Sequence, residues 1–223
     1  MELIEYPDRE ALAMDLADVI ASELAGVLRH EERATLVVPG GTTPGPIFDA
    51  LCAARLDWDR VDIALSDERW VPEDHPRSNT ALIKQRLMVE RAAAATFLPF
   101  YAGGDDPDAV MADVAERLTP HLPISVALLG MGDDMHTASL FPRGENLRLA
   151  LDPHAPVLLS MRVDSQPEAR VTFSAPVLRG AISLHIVIMG SDKRAALERA
   201  KGLRPEEAPV AALLGNAVVH WAP

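Results

Sequence analysis

Four short apolar runs constrain this chain more than any other feature: Ala34 to Val38, Val61 to Leu65, Ile124 to Leu129 and Leu184 to Met189. Each reads as a strand buried on both faces, the signature of a parallel sheet. Helical periodicity fills the intervals. Asp8 to Arg29 carries Leu12, Leu16, Val19, Ile20, Val27 and Leu28 at three-and-four spacing, one apolar helical face. Helices are also predicted for Thr80 to Val89 (Ser78 or Asn79 as cap), Asp108 to Leu118, Lys193 to Lys201 and, briefly, Ala208 to Leu214. Weaker strand patterns fall at Ala92 to Pro99, an edge, and at Val157 to Met161, Ala169 to Pro176 and Ala217 to Trp221. In Ala169 to Pro176 the alternation puts Arg170, Thr172 and Ser174 on a polar side. Strands alternating with helices predict an α/β fold: one domain over residues 1–223, a three-layer sandwich with a mostly parallel, doubly wound sheet.

In open α/β sheets, ligands bind outside the carboxyl ends of the strands. The first exit here is Gly40-Gly41-Thr42-Thr43-Pro44, with Thr43 as helix cap and Pro44 as first helical residue. Paired glycines let backbone N–H groups approach an anion, although an ordinary strand-to-helix turn reads the same way. The second, Ser66-Asp67-Glu68-Arg69-Trp70-Val71-Pro72, sets Arg69 beside two carboxylates, as a solvated turn or as a pre-positioned anion clamp. The third is Gly130-Met131-Gly132-Asp133-Asp134-Met135-His136-Thr137, and Gly190-Ser191-Asp192-Lys193 is the last.

The net charge of −12 argues against nucleic acid or an anionic membrane as partner, since both need a basic face. The lone cysteine, Cys52, lies in an apolar helical pattern and reads as a core thiol. Met1 to Asp8 has no basic leader pattern and no run is long enough to span a bilayer, so the reading is cytoplasmic. Dinucleotide, P-loop and nucleophile-elbow motifs are absent, as are His-x-x-x-His and Cys-x-x-Cys spacings.

Arg69, Arg170 and Lys193, with the backbone at Gly40 and Gly41, suit a phosphorylated small molecule. His136 is the candidate general base, read as sitting near the start of a short helical turn whose dipole favours neutral imidazole. Asp134 is placed to fix its tautomer. The residues therefore predict metal-free acid–base chemistry on a sugar-phosphate-sized anion, against a non-catalytic binding domain.

The segments Gly40-Gly41-Thr42-Thr43-Pro44, Asp67-Glu68-Arg69-Trp70-Val71-Pro72 with His75, Ser78 and Asn79, Gly130-Met131-Gly132, Asp134, His136-Thr137-Ala138-Ser139-Leu140-Phe141-Pro142 and Arg170-Val171-Thr172 resemble the 6-phosphogluconolactonase family. That family shares a superfamily with glucosamine-6-phosphate deaminase. The resemblance, spanning about residues 34 to 193, implies a Rossmann-like, glucosamine-6-phosphate isomerase-like fold and hydrolysis of 6-phospho-D-glucono-1,5-lactone in the pentose phosphate pathway. No cofactor and no metal are implied, and the partner is the phosphorylated sugar lactone, bound by a monomer or small homo-oligomer. It makes His136 the base, with Asp134 and Arg69 in the catalytic set. Gly40, Gly41, Thr42, Thr43, Asp67, Arg170 and Lys193 then bind substrate, the cations holding phosphate or stabilising charge at C1.

One position departs from the family, where Asp-Gly-His is usual and Met135 stands in place of the glycine. If φ is positive there, methionine is strained by about 1 kcal/mol or more; if closeness to substrate matters, the thioether narrows the pocket. Glucosamine-6-phosphate deaminase is the alternative, but its family reads Asp-Glu-Tyr at the second exit and has a glutamate five residues after the histidine. Arg69 and Phe141 occupy those positions here. A sugar-phosphate sensor is a second alternative; sensors of this kind normally carry a basic DNA-binding helix pair, which the acidic sequence lacks.

Overall fold

The computed structural model describes residues 1–223. Seven strands form one parallel sheet: β1 (Glu2–Glu5), β2 (Ala34–Val38), β3 (Val61–Leu65), β5 (Thr96–Leu98), β6 (Val126–Gly130), β9 (Ser183–Met189) and β10 (Val218–Ala222), ordered β1-β10-β9-β6-β2-β3-β5. The missing numbers belong to a separate antiparallel sheet, β4 (Asp67–Arg69), β7 (Leu158–Met161) and β8 (Arg170–Phe173), ordered β4-β8-β7. The helices are α1 (Arg9–Leu28), α2 (Gly45–Leu51), α3 (Asn79–Arg86), α4 (Met111–Leu118), α5 (Leu147–Leu151), α6 (Ala175–Arg179) and α7 (Ser191–Ala200).

Side chains alternate across the strands into two cores. Leu36, Val38, Ile63 and Leu128 pack with α1 and α2 on one face, around Trp58 and Phe48. Val37, Ala64, Ala127, Leu129 and Ile186 pack on the other, with α4, α6, α7 and the antiparallel sheet. Apolar atoms thus leave water on both faces, which is why the central strands are mostly apolar, interrupted by single polar residues such as Asp62 and His185. Cys52 is a buried free thiol in the first core, its Sγ donating to the Asp49 carbonyl at 3.3 Å.

The long elements fall where periodicity placed them, and the departures are local. Glu2–Glu5, short and half polar with no apolar run to mark it, pairs with β10 as an edge strand. The proline-interrupted stretch after Pro142 contains α5. The α3 helix stops at Arg86, and the predicted helix at Ala208 to Leu214 is a 3-10 turn, Pro209–Ala212. Thr43 does not cap α2: Pro44 holds the cap position and no side chain bonds the first turn. The predicted helical turn at His136 is absent. A tight loop ends on it instead, closed by the Gly132 N–H donating to the His136 carbonyl at 2.8 Å, and a second turn, Thr137 to Leu140, follows. The dipole argument for His136 therefore falls away.

Candidate active site

Antiparallel pairing of β4 with β8 sets Arg69 directly opposite Arg170. Like charges facing across a ladder are destabilising unless something offsets them. Asp67 supplies part of the offset, its Oδ2 lying 3.7 Å from Nη1 of Arg170, but that carboxylate is shared: Ser139 donates to Oδ2 at 2.5 Å and Ser66 to Oδ1 at 2.9 Å. Arg170 is only 6% exposed. Burial pushes its guanidinium below the ordinary arginine range, with Asp67 pulling the other way. The Nε atoms of Arg69 and Arg170 are buried and hydrogen-bond nothing in the protein. A buried and a half-buried guanidinium side by side, each with an Nε that no protein group accepts from, have the chemistry to take an anion.

Arg69 is aimed by its surroundings. Its Nη1 donates to the carbonyl of Arg77 at 2.7 Å. Glu68 beside it is buried and accepts from the backbone N–H of Arg69, Asn79 and Thr80 at 2.7, 2.9 and 2.8 Å, binding β4 to the start of α3. Burial holds the Glu68 carboxyl above the usual range despite these bonds. Asn79 completes the brace, its amide donating to the Asp67 carbonyl at 3.1 Å.

The turn after β6 brings His136 to face these cations. Its Nδ1 lies 2.5 Å from Oδ1 of Asp134, and its ring packs against Phe141 at a 40° tilt with centroids 4.5 Å apart. Burial pushes the Asp134 carboxyl up, yet the ring and backbone N–H of His136 outweigh it and hold Asp134 below the usual range. A carboxylate accepting at Nδ1 fixes that nitrogen as N–H and leaves Nε2 as the basic atom. Gly132 makes room, because a Cβ there would stand 2.1 Å from Nδ1. Met135, between the pair, has φ of 65°, the left-handed conformation that favours glycine.

These groups converge on one cleft of about 330 Å³ at the carboxyl ends of the strands. Arg69, Arg170, His136 and Lys193 all line it, with Asp67 and the Gly40 to Thr43 turn. Gly40 is close to Asn79, where a Cβ would sit 2.1 Å from Oδ1, and Gly41 has φ of 86°. Lys193 lies in the first turn of α7, where a cation opposes the helix dipole, and bonds the exposed Asp133 at 2.9 Å. Asp134 is behind His136, on an outer cleft instead. His75 lies outside as well, its Nδ1 accepting from the backbone of Arg77 at 3.2 Å. Sequence reasoning missed Gln166, which lines the cleft from the β7–β8 loop, and read Asn79 as a cap and part of the family motif without placing it among the site residues. No periodicity or motif marks a loop residue that approaches the cleft from a second sheet.

A family model described as glucosamine-6-phosphate isomerases/6-phosphogluconolactonase matches residues 7–221. A 6-phosphogluconolactonase of Rhizobium meliloti is 38% identical, covering 100% of this chain and 98% of the relative. One of Pseudomonas aeruginosa is 40% identical over 95% and 90% of the two chains. The crystal structure of a Shewanella baltica 6-phosphogluconolactonase superposes with a TM-score of 0.96 at 30% identity, over 100% and 98%. A monomeric glucosamine-6-phosphate deaminase shares the fold, with a TM-score of 0.81 at 17% identity over 100% and 97%. With the family model covering nearly its whole length and full-length relatives this similar, the chain belongs to the glucosamine-6-phosphate isomerase/6-phosphogluconolactonase family.

Proposed function

We propose that this protein is a 6-phosphogluconolactonase, hydrolysing 6-phospho-D-glucono-1,5-lactone to 6-phosphogluconate in the oxidative pentose phosphate pathway. The observation that carries the reading is one cleft holding a carboxylate-fixed histidine opposite three cations. His136 Nε2 takes a proton from water as the oxygen attacks C1. The resulting alkoxide at C1 is stabilised by the cations. Collapse expels the ring oxygen, which recovers the proton from His136, so ring opening leaves the base as it began. Arg69, Arg170, Lys193 and the N–H groups of Gly40 to Thr43 divide the phosphate and the C1 oxygen between them. A grip on the remote phosphate fixes the carbonyl against the base. Asp67 touches the substrate region chiefly through Arg170, and Thr42 and Thr43 offer hydroxyls at the cleft rim.

Phe141 supports hydrolysis over deamination, since a phenyl ring against His136 puts no proton-carrying group there. The reading takes residues 1–223 as one cytoplasmic lactonase domain, working as a monomer or small homo-oligomer without metal or cofactor. Lactone hydrolysis assayed beside glucosamine-6-phosphate deamination, both with chelator present, tests it. Rapid lactone opening without ammonia release is expected. Ammonia release, or lactonase activity abolished by the chelator, overturns the reading.

A further inference from the structure

Gln166 stands on the ridge between the cleft and the outer one and lines both. Its own N–H donates to the Val163 carbonyl at 3.0 Å, and the loop beyond it is tied down as well. Two residues on, Glu168 accepts from Nη2 of Arg77 at 2.8 Å, and Trp70 N–H donates to the Ala169 carbonyl at 2.8 Å. The carboxamide oxygen of Gln166 accepts from Nη2 of Arg170. A guanidinium carries donors only, so the amide cannot turn around, and its two Nε2 hydrogens are directed away from Arg170. The contact thus fixes both ends of the amide: one neutralises a donor of the buried arginine, while the other adds donors beside it.

Resting on the lactonase reading, we infer that Gln166 is a specificity-determining residue, its amide N–H donating to an oxygen of the sugar phosphate held at Arg170. An acceptor at this position would repel the substrate anion, whereas an amide extends the guanidinium's donor array without adding charge.

Gln166→Ala and Gln166→Glu separate this role from simple bracing of Arg170. Glutamate keeps, and strengthens, the acceptor that Arg170 bonds, but removes the donor and adds a negative charge. The measurements are KM and kcat for the lactone, and Kd for 6-phosphogluconate by calorimetry. Gln166→Ala is expected to raise KM and Kd together about tenfold, the size of one hydrogen bond to a charged group, with kcat within twofold. Gln166→Glu is expected to raise both further. A glutamate variant close to wild type, with alanine the worse of the two, assigns Gln166 to bracing and overturns the inference; so does an alanine variant with unchanged Kd. Failure of the lactonase reading looks different: the wild-type protein leaves the lactone intact, and the Kd values alone then decide for or against Gln166.

Discussion

The two ends of the parallel sheet treat buried aspartates in opposite ways. At the amino end, Asp62 of β3 receives Arg33 through two nitrogens, at 2.9 and 2.6 Å, and Nδ1 of His121 at 2.9 Å. Burial pushes the Asp62 carboxyl up, and these bonds more than reverse it, leaving it below the usual range. At the carboxyl end, five residues along, Asp67 meets Arg170 only at 3.7 Å and spends its oxygens on serine hydroxyls. The first arrangement saturates charge with charge and leaves nothing to bind. The second holds two arginines side by side, with the Nε of each lacking a protein acceptor, so positive charge is left under-compensated at this end.

The sharpest way to break this contrast is through the two histidine–aspartate pairs. His136→Ala should lower kcat for lactone hydrolysis by about 10²- to 10⁴-fold, the range for a general base, with Tm nearly unchanged. His121→Ala, at the amino end, should leave kcat alone and lower Tm. Wild-type turnover in the His136 variant would remove it as base and erase the functional difference between the ends.

The paired arginines sharpen the contrast further. Arg69→Ala is expected to weaken 6-phosphogluconate binding about tenfold or more with little loss of stability, since the lost Nη1 bond to the Arg77 carbonyl is offset by relief of the like charge facing Arg170. Arg33→Ala should leave that Kd unchanged and destabilise by about 2 kcal/mol, because it strands a buried carboxylate that keeps only His121. Equal Kd effects from the two would mean that the donors at the carboxyl end are not reserved for a ligand. Calorimetry and thermal unfolding on the same preparations read both quantities.

A pH series isolates the amino-end contribution. Because the folded Asp62 carboxyl titrates below its unfolded value, its stabilisation is fully present above the ordinary carboxylate value of about 3.9 and is lost as pH falls through the lower folded value. The Tm advantage of wild type over Asp62→Asn should therefore hold from pH 7 to about pH 5 and shrink below pH 4. An advantage that grows on acidification would mean the carboxyl is held up, not down.

The same contrast explains what was legible in the sequence. The mostly apolar strands β2, β3, β6 and β9 are dictated by burial on both faces, and their bounds could be read to the residue for β2 and β3 and within two residues for β6 and β9. That Arg69, His136 and Lys193 line one cleft was legible because strand exits gather at one end of any parallel sheet, whereas Arg170 reaches the cleft from β8 of the antiparallel sheet. The ladder that faces Arg69 with Arg170 was not legible, because β4 is three residues of Asp-Glu-Arg with no alternation to reveal it. Nor was the turn at His136, where tertiary bonds replace helix: Thr137 Oγ1 donates to the Gly130 carbonyl at 2.8 Å and Gly132 N–H to that of His136 at 2.8 Å. Amino-end pairs such as Arg33 with Asp62 escaped for a similar reason, being 29 residues apart and joined only by strand register.

The smallest expected effect concerns Met135, where the carboxyl end carries visible backbone strain. A φ of 65° costs a methionine about 1 kcal/mol, which glycine would relieve. Against that, the half-buried Met135 side chain packs on the second core, and removing it exposes apolar surface worth about 1 kcal/mol. Glycine also loosens the unfolded chain, a further cost of about 0.5–1 kcal/mol. The sum is slightly unfavourable, so Met135→Gly should lower Tm by about 1–4 °C. Activity should hold within twofold, because the Met135 carbonyl accepts from Val210 N–H at 3.1 Å and keeps the turn in place whatever the side chain. Met135→Asn, which tolerates this conformation, separates strain from the extra freedom of glycine. A Tm rise in both variants would show that strain outweighs packing here, and that this turn, unlike the satisfied amino end, gives up stability for the position of His136.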